Sequence, residues 1–318
     1  KQKTRQWWNS YWKRSYVFID SGKIGSDYWK VGRNYQLFRY MLGCNAYGSE
    51  PTKFNGGLFT FDPVHIDSTR VFTPDFRLWG GGTMTAQNQR LVYFPMLKSG
   101  DFDMMKPQFD FYERMLDNAK LRTKVYWNHG GACFSEQIEN FGLPNLAEYD
   151  WKPRHEGFPV GVDSNPWLEY TWDTALEFAL MMFDAHLYNN EPIVPHLPFI
   201  ESLLTFFDEH YSYLALRRGT NKLDGDGHLV LYPGSACETY KMATNATSTV
   251  AALKVITEKL LELPELYATQ REHWSGFLKR IPPISYREVQ GKKTISPAKM
   301  WERINNSEVP SLYPVYPW

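Results

Sequence analysis

The sequence predicts an all-α fold, an array of helical hairpins of the (α/α)6 toroid type that this chain leaves incomplete. Apolar residues recur at the i, i+3, i+4, i+7 spacing of a helix with one buried face along most of the chain. The links between these segments are alternately long and short, which places the long loops on one rim of the array. About eight or nine helices are predicted, fewer than a closed ring of six hairpins requires.

The individual helices follow from this periodicity. One of them opens after "AQNQ" and passes through Tyr93 and Pro95. The stretch 166–188 begins with Pro166, a residue that the first turn of a helix tolerates. Strand signals are weak, and the best candidate is "HLVLY" at 228–232. The predicted helices lie in 30–46, 102–124, 166–188, 193–214, 229–263 and 265–281.

Two long links, 48–84 and 128–165, separate groups of helices. Structureless links of this length are uncommon in compact domains and usually carry function. The links at 188–194 and 262–266 are predicted to be tight helix–helix turns instead. The rim with the long loops is therefore where functional residues are expected.

Composition excludes several classes of function. The 318 residues contain 35 Lys and Arg and 35 Asp and Glu, so no basic surface for nucleic acid is expected. No apolar run reaches the ~18 residues that a membrane span needs. The three cysteines, Cys44, Cys133 and Cys237, have no C-x-x-C spacing, which argues against a zinc site and a disulfide framework. We expect neither a metal nor a cofactor.

The two ends of the sequence indicate a piece of a longer protein. The chain lacks an initiator Met, and its basic N-terminal stretch has no apolar core typical of a signal peptide. It finishes on "SEVPSLYPVYPW" with no terminal helix. We therefore expect residues 1–318 to be a partial domain, truncated at both ends, whose partners include further domains of the same protein.

Aromatic residues are dense, with 12 Trp, 20 Tyr and 20 Phe. Trp79 in "RLWGGG", Trp127 in "VYWNHGG" and Trp172 in "NPWLEYTW" stand near Gly, Asn or Pro. Rings at loop positions suit a sugar-binding cleft, because the C–H faces of a pyranose stack on them. The alternative is that these rings are ordinary core and interface anchors.

Glu238 is the candidate catalytic residue. It ends the sequence Ser235-Ala-Cys-Glu238, which matches an S-x-x-E capping box before an apolar helical run. The other interpretation is a general acid, partly desolvated beside Cys237 and Tyr240, that protonates a glycosidic oxygen. Both interpretations place Glu238 at the N-terminus of a helix, with Tyr240 as a nearby substrate-binding residue.

Neutral amides are the second group of candidates. Asn88 and Gln89 can hold a water or a sugar hydroxyl through paired donors and acceptors. The alternative is that they form the polar first turn of a helix. Asn55 stands beside two glycines in "KFNGGLF", where the backbone can approach a ligand closely.

The stretch "WNHGGACFSEQ" adds His129 and Glu136 as candidates for substrate binding. A lone His is more often structural than a ligand, and no H-E-x-x-H spacing supports a metal. Ser135 lacks a G-x-S-x-G elbow, which argues against a serine hydrolase. "NKLDGDGHL" is too short for an EF-hand loop and is predicted to be a turn.

Several stretches in order along the chain resemble the toroid portion of the uncharacterised domain family 5703. They are "CNAYGSEPTKFNGGLFT", "RLWGGGTMTAQNQRLVYFPMLKSGDFDMMKPQFDFY", "HGGACFSEQ", "YPGSACETY" and "ATNATSTVAAL". That family is similar in turn to glycoside hydrolase family 95, the inverting α-L-fucosidases of the six-hairpin superfamily.

The second resemblance implies roles for individual residues. "SACE" stands where the fucosidases have "SPE", which gives Glu238 the role of general acid. Asn88 matches the second Asn of an N-x-N pair that orients the water, while Ala86 replaces the first. The catalytic base of the family is an Asp in a later segment, and no residue of this chain matches it.

The sequence therefore predicts a glycoside hydrolase that inverts the anomeric configuration of a plant or algal polysaccharide. Export to the extracellular space or periplasm is what the resemblance implies. One alternative is a polysaccharide lyase that uses Asn88, His129 and Tyr240. Another is a carbohydrate-binding or scaffold protein without catalysis.

Overall fold

The computed structural model describes residues 1–19, 22–45, 47–54, 67–69, 71, 83–144, 156–265 and 270–318. Over these residues the protein is mostly helical with a few short strands, which confirms the helical class but makes all-α too narrow. No helix in the described ranges is both long and apolar enough to cross a membrane. The chain divides into two compact units, Lys1–Tyr112 with Asp184–Glu191 and Glu113–Phe183 with Pro192–Trp318.

The first unit is organised around a buried ion pair. Arg39 and Asp101 are fully buried, and the Arg39 Nη1 lies 2.7 Å from the Asp101 Oδ2. The Tyr11 hydroxyl donates to the Arg39 carbonyl at 2.6 Å, and the Arg39 guanidinium lies 4.1 Å from the centroid of the Tyr11 ring. These contacts hold helices α1 and α2 to the end of α3. The elements are α1 Gln2–Arg14, α2 Asp27–Cys44, β1 Met84–Thr85 and α3 Ala86–Ser99.

The predicted helix over 102–124 is divided into shorter pieces. A 3-10 turn at Phe102–Met104 is followed by α4 Lys106–Arg114 and α5 Leu116–Trp127. Pro107 stands in the first turn of α4, where its missing N–H removes no helical hydrogen bond. The prediction of helical structure is confirmed for this stretch. The periodicity of apolar residues did not show that the helix is interrupted and starts again near Pro107.

The remaining helices agree with the prediction in type, but the helices predicted from Pro166 and from Glu238 begin later in the chain. The helix predicted from Pro166 begins only at Thr174, because residues 166–170 form turns and Tyr170 has a left-handed φ of 57°. The helices are α6 Thr174–Asn189, α7 Leu197–Arg217, α8 Thr247–Glu262 and α9 Arg271–Arg280.

These helices alternate in the way they are buried. Nearly every residue of α6 up to Phe183 is buried, and so is the first half of α8. By contrast, α7 buries one face, and α9 buries only Trp274 and Phe277. A helix that is apolar all round is a core helix, whereas a one-sided stripe is typical of an outer helix.

A small antiparallel sheet belongs to the second unit and was not predicted. Its strand order is β3, β4, β7, with Ser235 opposite Lys241 and Tyr240 opposite Ile304. Four buried alanines form a cluster to which the sheet contributes Ala236 and Ala243, together with Ala246 and Ala298. The strands are β2 Gln137–Ile138, β3 Gly234–Ala236, β4 Tyr240–Ala243, β5 Tyr286–Val289, β6 Lys292–Ile295 and β7 Arg303–Ile304.

The strand prediction for 228–232 is wrong. Backbone N–H groups in this stretch donate elsewhere, from Leu229 to the Arg280 carbonyl at 2.7 Å and from Leu231 to the Asn245 side chain at 2.9 Å. Only an isolated bridge between Leu223 and Leu229 is formed. The ladder begins after this stretch, at Gly234.

Candidate active site

Glu238 lies in the turn Cys237–Thr239 that joins β3 to β4. In this turn the chain reverses its direction, and Cys237 adopts a left-handed backbone conformation with a φ of 52°. Helix α8 begins only at Thr247, so the expected position of Glu238 at a helix N-terminus is wrong. The capping box is wrong as well, because the hydroxyl of Ser235 donates to the carbonyl of Glu169 at 2.5 Å.

The segment after β7 fixes the tip of this hairpin. The Asn306 amide donates to the Oε2 of Glu238 at 3.0 Å, and the Glu238 backbone N–H donates to the Oε2 of Glu308 at 3.0 Å. The Asn305 N–H donates to the Thr239 carbonyl at 2.8 Å. Glu238 is half-buried. Its carboxylate is therefore oriented by the protein and still open to a solute.

Beneath the hairpin, Lys241 is fully buried. Its Nζ donates to the Trp167 carbonyl at 2.6 Å, to the Ser235 hydroxyl at 3.0 Å and to the Thr171 hydroxyl at 3.3 Å. Burial lowers the pKa of Lys241 to about 8, while the charges of Glu169, Glu238 and Asp173 oppose this change. These carboxylates are the negative charges that offset the burial of the ammonium.

Two of the surrounding carboxylates are inside the protein. Glu169 is buried and forms an ion pair with Arg303 of β7. Asp173 accepts hydrogen bonds from the Ser248 hydroxyl at 3.0 Å and from the Thr249 hydroxyl at 2.7 Å, in the first turn of α8. Burial raises the pKa of Asp173 in spite of these two donors. Glu238 is thus the carboxylate of this cluster that can meet a substrate.

A second cluster consists of aromatic rings and two histidines. Trp127 and Trp172 are only 5% and 2% exposed, and their ring centroids are 5.6 Å apart. His210 of α7 lies against both rings, at 4.5 Å from Trp127 and 4.8 Å from Trp172. Burial of this kind leaves little ring surface for a sugar to stack on. These two tryptophans therefore pack the core of the second unit.

The two histidines have defined protonation states. The His129 Nδ1 lies 2.8 Å from the Gly130 carbonyl and must donate to it, so its Nε2 accepts the Nδ1–H of His210 at 2.8 Å. The Nε2 of His210 is then an unprotonated nitrogen, and it has no hydrogen-bond partner within the described parts of the chain. Burial lowers the pKa of both rings, and that of His210 falls well below its ordinary range.

We expect this buried pair to make the protein sensitive to acid. Below about pH 6.5 the unfolded chain binds a proton at His210 that the folded protein excludes, so stability falls by about 1.4 kcal/mol per pH unit for this histidine. His210→Phe keeps a ring in place and should flatten the loss measured by urea unfolding between about pH 7 and pH 5. The exposed His273 replaced by Gln is the control, and equal slopes in wild type and His210→Phe would refute the assignment.

The other predicted site residues are distributed over both units. Tyr240 lies on β4 with its ring 4.9 Å from that of Trp301, and Glu136 is fully buried. In the first unit, Asn88 is half-buried in the first turn of α3, where the alternative interpretation placed it. Asn55 and Trp79 lie outside the described residues.

The side chain of Gln89 makes its hydrogen bonds inside the first unit. The side chain is fully buried, its Nε2 donates to the Thr52 carbonyl at 2.7 Å, and its Oε1 accepts from the Tyr112 hydroxyl at 2.9 Å. Donor and acceptor are both satisfied by the protein. This environment indicates a structural role for Gln89.

Sequence reasoning missed Lys241, Glu169, Asp173, Arg303 and Glu308. One signal was present, because polar Glu169, Thr171 and Asp173 alternate with aromatic Tyr170 and Trp172, a period that does not fit a helix. The helix predicted over 166–188 concealed that alternation. The same segment joins the two clusters of the second unit, since Trp172 packs among the rings and the Trp167 carbonyl binds Lys241.

No protein-family model matches this sequence, and a search of curated proteins finds no significant match.

Proposed function

We propose that this chain is a glycoside hydrolase module of the inverting type, built on an (α/α)6 toroid. The alternation of core helices α6 and α8 with one-sided helices α7 and α9 supports a toroid, because its inner helices are covered on all sides and its outer helices on one. The resemblance of "YPGSACETY" and "HGGACFSEQ" to the six-hairpin families supports the reaction class.

The observation that carries the proposal is the placement of Glu238. Its carboxylate stands on a hairpin tip, fixed by Asn306 on one side and half-open on the other. In the free protein the Asn306 amide donates to this carboxylate, and the Lys241 ammonium interacts with its charge. A saccharide over the tip removes water from the carboxylate, and loss of hydration favours the protonated form that a general acid needs. Glu238 then gives its proton to the glycosidic oxygen as the bond from that oxygen to the anomeric carbon breaks. A water attacks this carbon from the opposite face and loses its proton to a base that we place outside this chain.

The experiment is sugar release from aryl glycosides and from plant and algal oligosaccharides. General acids contribute about 10²–10⁴-fold, so Glu238→Gln should lower turnover by a factor in that range at unchanged Tm, because Gln can still accept from Asn306. Glu288→Gln on the exposed strand β5 is the matched control. Proton NMR of the first product should show inversion, and full activity of Glu238→Gln would exclude the assigned role.

A non-catalytic saccharide-binding protein is the second candidate. It is favoured by the first turn of α3, where Ala86 replaces the first Asn of the family pair and Gln89 is committed to internal hydrogen bonds. Saturable binding of an oligosaccharide without turnover would select this function. The lyase alternative has less support, since His129 and Tyr240 belong to different clusters of the second unit.

A further inference from the structure

A pocket lies at the end of β4 that is farther from Glu238. Its volume is about 600 Å³, which is within the range of small-molecule sites. Met242 and Thr244 contribute from β4 and the residue after it, and the other walls come from the segment after α7 and from the segment before β7. The lining includes Arg218, Asn221, Asp224, Tyr232, Met242, Met300, Trp301 and Glu302.

Hydrogen bonds hold the walls of this pocket in place. The Thr244 N–H donates to the Met300 carbonyl at 2.8 Å, which ties β4 to the segment before β7. The Tyr232 hydroxyl donates to the Glu302 Oε1 at 2.9 Å, and the Arg218 Nη1 donates to the Tyr232 carbonyl at 2.6 Å. The pocket is therefore formed before any ligand enters, which reduces the ordering cost of binding.

The charges of the pocket disfavour an anionic ligand. Arg218 is the single cation of the lining and is already bonded to the Tyr232 carbonyl, with its guanidinium 5.4 Å from the centroid of the Tyr232 ring. Asp224 and Glu302 add two carboxylates, which leaves a net negative charge. A phosphate or a uronate would face this repulsion. A neutral ligand would not.

The lining of the pocket also offers an apolar surface and hydrogen-bond acceptors. Trp301, Met242 and Met300 offer surface on which the C–H face of a sugar ring can pack. The Oδ1 of Asp224 accepts the N–H groups of Asp226 and His228 at 3.0 and 2.9 Å, which orients the carboxylate. Its other oxygen, Oδ2, can accept from a ligand hydroxyl.

We propose that this pocket binds one neutral sugar unit and so forms a second saccharide site on the same sheet as Glu238. The inference rests on the proposed function, because that function identifies the polyhydroxylated ligand as a saccharide. Polysaccharide anchored here would be held on the hairpin whose tip carries the proton-transfer group. The site is distinct from the tip, since the tip and the pocket lie at opposite ends of β4.

The test is calorimetric binding of neutral gluco-, xylo- and manno-oligosaccharides to the full chain, with oligogalacturonate and inorganic phosphate as the anionic probes. Trp301→Ala should weaken neutral saccharide binding at least about tenfold. Glu302→Gln, which preserves the shape of the side chain, should weaken it severalfold and guards against a folding defect of Trp301→Ala. Tyr286→Ala, an exposed ring outside the pocket, is the control and should bind as wild type does.

Each outcome decides the assignment. Unchanged affinity in Trp301→Ala and Glu302→Gln, no binding of any neutral saccharide, or tighter binding of an anionic probe would overturn it. Turnover lost in Glu238→Gln together with unchanged binding in Trp301→Ala would reject the pocket and keep the hydrolase. Binding lost in Trp301→Ala by a protein without turnover would keep the pocket and reject the hydrolase.

Discussion

Gly131→Ala is expected to lower the free energy of unfolding by at least about 3 kcal/mol, a large part of the ~5–15 kcal/mol that stabilises a typical protein. Gly131 has a φ of +82°, and an added Cβ would lie 2.2 Å from the backbone nitrogen of Phe206 and 2.4 Å from its Cα. The obstacle is the backbone of α7 and cannot rotate away. Gly131 is therefore required where "HGG" meets α7, next to the His129–His210 hydrogen bond.

A matched control separates overlap from backbone strain. Gly219, just after α7, also has a positive φ of +69°, but a Cβ there would meet nothing within 4 Å. Gly219→Ala should cost only about 1–2 kcal/mol. Urea unfolding of both variants measures the difference, and equal losses would mean that the close approach of Gly131 to α7 is not the cause.

Lys241→Met should cause the second large loss of stability, also about 3 kcal/mol in the free energy of unfolding near neutral pH. The variant leaves the Trp167 carbonyl and the Ser235 hydroxyl without their Nζ partner, and it removes the positive charge among Glu169, Glu238 and Asp173. Breaking a buried charged cluster by deleting one partner is strongly destabilising. Exposed Lys292 on β6 replaced by Met is the control.

Lys241 should also make the stability of the protein depend on pH, and its lowered pKa gives the direction. The pKa of Lys241 is about 8 in the folded protein against an ordinary value of 10.5. Between these two values the unfolded chain holds the proton that the folded protein releases, so wild type gains stability as the pH rises, by up to about 3 kcal/mol. The gap in unfolding free energy between wild type and Lys241→Met should therefore widen from about pH 7.5 to pH 9.5. A constant gap would show that the buried amine is not desolvated.

The helices could be predicted because their information is local. In α7, Ile200, Leu203, Leu204 and Phe207 repeat at the helical period, and burial of that face decides the structure. The start of α6 could not be predicted in the same way. The residues before Thr174 carry an apolar pattern, but their carbonyls are drawn to Lys241, a residue remote in sequence.

The sequence singles out Glu238 as a candidate for catalysis, which stays a prediction, but it did not reveal the residues that surround it. Glu238 follows from "SACE", yet its hairpin consists of Gly, Ser and Ala, which have low strand propensity. Four buried alanines and the pairing with β7 override that propensity, and neither can be read from a short window of sequence. The capping-box pattern therefore predicted the wrong element.

The hairpin of Glu238 pairs with β7, a strand from a distant part of the chain. The sheet can therefore be completed only late in synthesis. The Glu169–Arg303 ion pair joins residues 134 positions apart, and the Asn305–Pro166 hydrogen bond joins residues 139 positions apart. Helices α5 to α9 precede β7 on the ribosome and can pack first, because local contacts form before long loops close. Asn306 reaches the carboxylate of Glu238 only after that. A nascent chain that stalls before residue 303 would carry Glu238 on a turn without β7 and Asn306, so its carboxylate is oriented only after translation has passed this point.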